Sequence, residues 1–298
     1  MFLKGVKYRV CKKVTRIFRI FIKMHFCKKK CNYCTFALMK YSFSYVVCLQ
    51  FLGFRFSGWQ KQTNAKSLHE MVDKTLSYVF EDINFKTIGV GRTDAKVSAN
   101  SYYIQLFVDT LIDENSFMKS LNSNFSPDFR AISMQQVDRS FNIIKASKVK
   151  EYHYYFSFGD KNHPFATPFM VNINENLNID LMIKGAKLFE GEHYFHKYCT
   201  KPSENTIFKR VIDSCEIVEN DILTANFFPE KSYILKVKGK GFLRYQIRFM
   251  TATLFELGKG NLEMPFIEAS LKEDNDRKFL RNIAPSSGLQ LFDIELDL

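Results

Sequence analysis

Seven consecutive residues, Gly89-Val90-Gly91-Arg92-Thr93-Asp94-Ala95, bring together two glycines, a guanidinium, a hydroxyl and a carboxylate. A carboxylate held rigidly in such a stretch can act as nucleophile or base. Gly89 and Gly91 allow backbone angles that residues with a Cβ resist, so a tight turn or a close backbone approach is expected. Phe85 and Ile88 precede the stretch and Tyr103 to Val108 follow it, which sets the loop between buried elements. An ordinary turn with an Arg–Asp surface pair accounts for the same composition equally well.

Two other stretches could complete a site. Tyr152-His-Tyr-Tyr-Phe-Ser-Phe158 reads as a strand with Tyr152, Tyr154, Phe156 and Phe158 on one face. Between Lys231 and Phe255 there is no acidic residue, while Lys236, Lys238, Lys240, Arg244 and Arg248 fall in that span. It is the best local phosphate-binding candidate, with a solvated strand face as the alternative. A helix is expected to open at Phe242, to carry Leu243, Ile247, Met250, Leu254 and Leu257 on one face, and to end at Gly258. Arg244 and Arg248, four apart, then share a side of it. His193 reads as a locally bonded turn histidine. No Cys or His pair after the leader has metal-ligand spacing, so no metal site is expected.

The elements that must position these groups follow from period and punctuation. Phe43, Tyr45, Val47, Leu49 and Phe51 alternate as a mostly buried strand. A glycine-punctuated loop with the only Trp follows at Gly53–Gln62. Ser67-Leu-His-Glu70 is a capping box, and Leu68, Val72, Leu76 and Val79 predict a helix over about 68–80. Further strands are expected near 101–108, 130–137, 152–158, 232–239 and 289–298, with helices at 117–121 and 180–189. Strands and helices interleave in two halves, giving an α+β protein with two domains (39–144 and 145–298) and a cleft where Asp94 meets Tyr152 and the 242–257 helix.

Charge distribution narrows the partner classes. The formal charge of the 298 residues is +12, which suggests a polyanion ligand. Yet residues 1–40 hold twelve of the 43 basic residues and no acid, leaving 31 basic against 31 acidic residues over 41–298. Any nucleic-acid site in the body must come from local clustering. No uncharged apolar window is long enough to cross a membrane. Seven cysteines without paired spacing in the body fit a reducing compartment, and a cytoplasmic location is expected. The leader, 1–38, carries Cys27-x-x-x-Cys31-x-x-Cys34, a spacing that can ligate an iron–sulfur cluster. It also reads as an organelle presequence, or as a basic tail preceding a functional start near Met39. The tail is preferred, because the chain after it does not read as the barrel an iron–sulfur radical enzyme needs.

Five motifs in order then resemble the TruA family of tRNA pseudouridine synthases, from about Tyr41 onward. They are Gly58-Trp-Gln-Lys-Gln62, Gly91-Arg-Thr-Asp-Ala95, Lys150-Glu-Tyr-His-Tyr154, Gly241-Phe-Leu-Arg-Tyr-Gln-Ile-Arg248 and Ala284-Pro-Ser-Ser-Gly-Leu289. The resemblance implies a pseudouridine synthase fold: two α/β-sandwich-like domains, mainly antiparallel, around a positively charged cleft. It implies cofactor-independent isomerisation of uridines in the anticodon stem-loop of tRNA, with Asp94 as the catalytic residue. Tyr152, Arg248, Arg92 and Leu243 would support it, and a homodimer is implied. Arg248 beside Asp94 is expected to lower its pKa. Arg55, Lys61, Lys96, Lys148, Lys150, Lys236, Lys238, Lys240 and Arg244 are the candidates for RNA contact. Two alternatives stand beside this: a catalytically silent RNA-binding homologue, and an iron–sulfur enzyme built on the leader.

The chain departs from the family pattern at Lys96 and Ser98, where Gly and His are usual, and substrate choice is expected to turn on them. Leu52 replaces the Asp of an Asp-Gly pair, Ile144 an Arg, and Tyr194 an Asp.

Overall fold

A computed structural model describes residues 41–273 and 280–298; the leader with its cysteines lies outside them. The first strand, β1 (Phe43–Phe51), forms where aromatic and β-branched residues alternate, and nearly all of it is buried. Helix α1 (Leu68–Phe80) begins as its capping box requires: Ser67 Oγ accepts the Glu70 N–H. Leu68, Val72, Leu76 and Phe80 form its buried stripe, each side chain contributing roughly 1.5–3 kcal/mol by burial. Strand β2 (Phe85–Gly89) and strand β3 (Ser98–Val108) bracket the Asp94 loop. Then come α2 (Glu114–Asn124), β4 (Phe129–Val137), the single turn α3 (Ile143–Ala146) and β5 (Ser147–Phe158). The second half continues with β6 (Val171–Ile173), α4 (Ile179–Lys187), β7 (Gly191–Tyr194), β8 (Lys209–Glu219) and β9 (Tyr233–Gly239). It closes with α5 (Gln246–Gly258), α6 (Met264–Ser270) and β10 (Leu289–Leu296).

The two expected halves share one sheet. Its order is β4-β1-β3-β10-β5-β9-β8-β7, with β2 added on β3 and β6 on β5. Pairing is antiparallel except for β3–β10 and β5–β6. Residues Tyr41–Leu298 group as one compact unit, so no gap in the sheet marks position 144. Two hydrophobic cores nevertheless flank the centre. One gathers Tyr45, Leu49, Leu68, Val72, Tyr102 and Ile104; the other gathers Tyr154, Phe156, Val237, Ile247, Met250 and Leu254. Strand β10 belongs to both, with Leu289 in the second core and Leu291 and Ile294 in the first. Tyr152 packs against both cores and stands on the seam.

Three local expectations need correction. Helix α5 starts at Gln246, not Phe242, because Tyr245 takes a left-handed conformation (φ 66°) that no helix can pass through. Gly258 does not cap α5 by a positive φ; it lets Met182 of α4 pack closely, and the left-handed glycine is Gly260. His193 lies in β7 rather than in a turn, but it is locally bonded as expected: its ring bonds the Glu190 carbonyl at 2.7 Å.

Candidate active site

Strand β3 has two partners on one edge, and the site grows from the gap between them. Ile104 to Val108 pair with β2, whereas Ser98 and Ala99 pair with β10. The chain leaves β2 there and forms the loop Val90–Val97. The Val90 N–H bonds the Tyr103 carbonyl (2.9 Å), and the Tyr102 hydroxyl donates to the Gly91 carbonyl.

The tryptophan loop holds this loop from behind. Trp59 N–H donates to Thr93 O (3.1 Å), Lys96 N–H to Phe56 O (3.0 Å), and Gly53 N–H to Ser98 Oγ (3.0 Å). Gly58, at φ 93°, passes so close that a Cβ there would stand 2.6 Å from Thr93 O. Gly89 and Gly91 do not carry the left-handed angle. Gly89 is small because Tyr102 and Trp59 fill the space, and the left-handed residue of the loop is Lys96 (φ 66°). The family's usual glycine at 96 thus has a conformational reason, and this chain places a lysine there under strain. Ser98 is buried and occupied with Gly53 N–H, so of the two departures only exposed Lys96 can face a substrate.

Asp94 opens into a cavity of about 150 Å³ lined by Arg92, Tyr152, Leu243, Arg244, Tyr245 and Arg248, among others. Among the described residues it is the only carboxylate on that lining. Its Oδ2 lies 3.7 Å from Arg248 Nη1, wider than a hydrogen bond but inside ion-pair range. Arg248 is itself fixed: its Nε donates to Ala284 O at 2.7 Å, and Ala284 N–H donates back to Arg248 O. The guanidiniums of Arg244 and Arg248 lie 5.1 and 5.0 Å from the Tyr245 ring. The Tyr152 ring meets Phe242 edge-on at 5.2 Å.

Burial decides the Asp94 carboxyl. It raises the pKa above the ordinary 3.8, and the opposing pull of Arg248 and Arg244 is weaker. Arg248 does lower it as expected, but removal from water outweighs a cation held at 3.7 Å and the net shift is upward. Burial likewise pushes the Tyr152 hydroxyl up, with the nearby Asp94 charge adding to it.

A larger cavity, about 350 Å³, lies at the β3–β10 seam against Phe51, Pro127, Tyr155, Phe169 and Leu289. Its buried carboxylate, Asp128, is taken by Arg55, which bonds both carboxylate oxygens at 2.7 and 2.6 Å. The smaller cavity is the one with free chemistry.

A family model described as tRNA pseudouridine synthase matches residues 186–297. The tRNA pseudouridine synthase A of Listeria welshimeri is 25% identical over 253 residues, covering 85% of this chain and 99% of that protein. The tRNA pseudouridine synthase A 2 of Bacillus thuringiensis is 29% identical over 254 residues, with the same coverage. The chain is thus similar to tRNA pseudouridine synthases over most of its length. A further relative, the tRNA pseudouridine synthase A of Exiguobacterium sibiricum, is 29% identical over 246 residues, 83% of this chain and 94% of its own.

Of the residues that family resemblance singled out, Asp94, Arg92, Tyr152, Leu243, Arg244 and Arg248 come together on one cavity. The remaining cations scatter. Arg55 is bound to Asp128, Lys61 to Asp73, Lys148 to Asp297 and Lys238 to Glu295. Lys96 sits over the Phe54 ring, and Lys240 is exposed. Lys236 and Lys238 alternate with Leu235 and Val237, which point into the core under α5, so both lysines face away from the cavity. Sequence reasoning missed Tyr245 between its two arginines. It also missed the task of the Ala284–Leu289 motif, whose carbonyls take Arg248 Nε–H and the Tyr154 hydroxyl (2.7 Å).

Proposed function

We propose that this protein isomerises uridine to pseudouridine in tRNA, at positions of the anticodon stem-loop, with Asp94 as the residue that drives the reaction. The observation that carries the reading is a lone carboxylate, among the described residues, in a cavity walled by three arginines and two tyrosines. The reaction needs no redox partner. The N1–C1′ bond breaks, the uracil turns, C5 bonds C1′, the C5 hydrogen leaves as a proton and N1 gains one. A uridine must leave the stack to reach Asp94, at a cost of a few kcal/mol. Arg92, exposed at the cavity rim and without a carboxylate partner among the described residues, is suited to hold the RNA backbone. The Tyr152 ring, steadied by Phe242, can return about 1–3 kcal/mol by stacking on the base. We further propose a homodimer; size-exclusion with light scattering gives its mass directly.

The test uses tRNA transcripts labelled with tritium at uracil C5. Release of tritium by the wild type, lost about 10²–10⁴-fold or more in Asp94→Asn, is the expected result. An Asp94→Ala protein that still converts uridine would end the assignment. A wild type that binds tRNA without releasing tritium from any of them would leave a silent RNA-binding protein in its place.

A further inference from the structure

We propose that Lys150 is a positioning residue of the tRNA-modifying site, an anchor for a backbone phosphate of the RNA beside the Asp94 loop. The inference rests on the reading of the substrate as RNA. Lys150 lies on β5 two residues before Tyr152, hence on the same face of the strand. Its ammonium reaches the underside of the loop, where Nζ stands 3.5 Å from Val90 O. That is longer than the 2.7–3.2 Å of a well-made N–H···O bond, so the three donors of the ammonium are poorly used.

The setting separates this lysine from those held by carboxylates. Lys61, Lys148, Lys209, Lys238 and Lys259 each hold a carboxylate. Lys150 has no carboxylate partner among the described residues, although it is half-buried and burial alone lowers its pKa. A desolvated cation without a counter-ion is costly unless an anion completes it. Gly91 gives that anion access. A Cβ at this glycine would stand 3.0 Å from Lys150 Nζ and would meet nothing else within 4 Å. The missing side chain thus leaves an opening in the loop through which the ammonium faces outward. Arg92, the residue after Gly91, is exposed and likewise has no carboxylate partner among the described residues. A phosphodiester oxygen at the opening would meet a point charge from below and a guanidinium alongside, within reach of the cavity that takes the uridine.

The test is equilibrium binding of an unmodified tRNA transcript by the full chain across a range of KCl concentrations. It is run beside single-turnover tritium release at saturating protein. Lys150→Met keeps the aliphatic stem and removes the charge; Lys150→Arg keeps the charge. Lys150→Met is expected to weaken binding about five- to tenfold, equally for different tRNAs, and to reduce the slope of log K against log salt by about 1. Lys150→Arg is expected to keep both near wild type, and the rate at saturation is expected to change little in either. Unchanged affinity and salt slope in Lys150→Met overturn the proposal. So does a fall in the saturated rate alone, which would mean that Lys150 merely props the loop at Val90. Binding is read without turnover, so failure of the isomerase assignment shows separately, as tritium retained by a wild type whose binding still depends on Lys150.

Discussion

Replacing Gly58 by alanine tests whether the tryptophan loop sets the position of Asp94. Gly58 lies outside the cavity and touches no reacting group, yet its added Cβ would sit 2.6 Å from Thr93 O and 3.0 Å from the Asp94 carbonyl carbon. Ordinary contact begins at 3.4 Å, so the loop must retreat by the difference, 0.8 Å at Thr93. A misplacement of about 1 Å at a reacting group costs up to about 10²-fold in rate. The backbone adds a separate effect, because φ 93° is strained for an L-residue by about 1–2 kcal/mol, which lowers Tm by roughly 2–8 °C in a protein of this size. Gly260→Ala is the matched control. Its φ is 79°, but a Cβ there meets nothing within 4 Å. Gly58→Ala is expected to lose at least as much Tm as Gly260→Ala, measured by calorimetry, while only Gly58→Ala loses turnover at saturating tRNA. A Gly58→Ala enzyme with wild-type turnover and the Tm loss of Gly260→Ala would refute the idea that contact behind the loop places Asp94.

Other outcomes follow from the same geometry. Because burial raises the Asp94 pKa above 3.8, the folded protein binds that proton more tightly than the unfolded chain. Stability from this group is therefore lost as pH rises from below 3.8 through the raised folded value. Asp94→Asn should accordingly raise Tm at neutral pH, and the gain should vanish below pH 3.8. The acid limb of the pH–rate profile should lie above the ordinary carboxylate range, and Arg248→Gln, which removes a lowering charge, should move it further up while reducing turnover about 10–100-fold. Tyr102→Phe strips the Gly91 carbonyl of its hydroxyl donor and should cost about 1–3 kcal/mol by denaturant titration. Arg55→Ala leaves nearly buried Asp128 without its partner; a similar stability loss with unchanged tRNA affinity would set Arg55 apart from the RNA contacts.

How far the chain could be read in advance depended on whether the deciding force was local. Strand β1 and helix α1 were legible because alternation, a Ser67 cap and a four-residue apolar stripe are all local. Strand β8 was not: a bulge between Ile212 and Ser214 breaks its period, so the buried Ile212, Cys215 and Ile217 do not alternate. The start of α5 was misplaced because the left-handed φ of Tyr245 interrupts the helix at a residue whose type does not mark it. Asp94 was legible as a residue, since the motif around it is compact. The direction of its pKa was not, because how deeply the third dimension buries a carboxylate leaves no mark in the spacing. The outward face of Lys236 and Lys238 was legible, and period two along β9 would have given it.

The placement of β10 reaches into how the protein comes to exist. Leu289–Leu296 lies in mid-sheet, between β3 and β5, and Asn100 bonds Phe292 across 192 positions of sequence. During synthesis every other strand emerges before the one that joins them. Until it does, the two cores have no common strand, the Ala284 carbonyl cannot fix Arg248, and Tyr152 lacks its neighbour Leu291. The nascent chain would pass most of its synthesis with Asp94 present and its site unassembled. A ribosome that stalls before residue 284 would then release a protein with the right motif and no activity toward RNA.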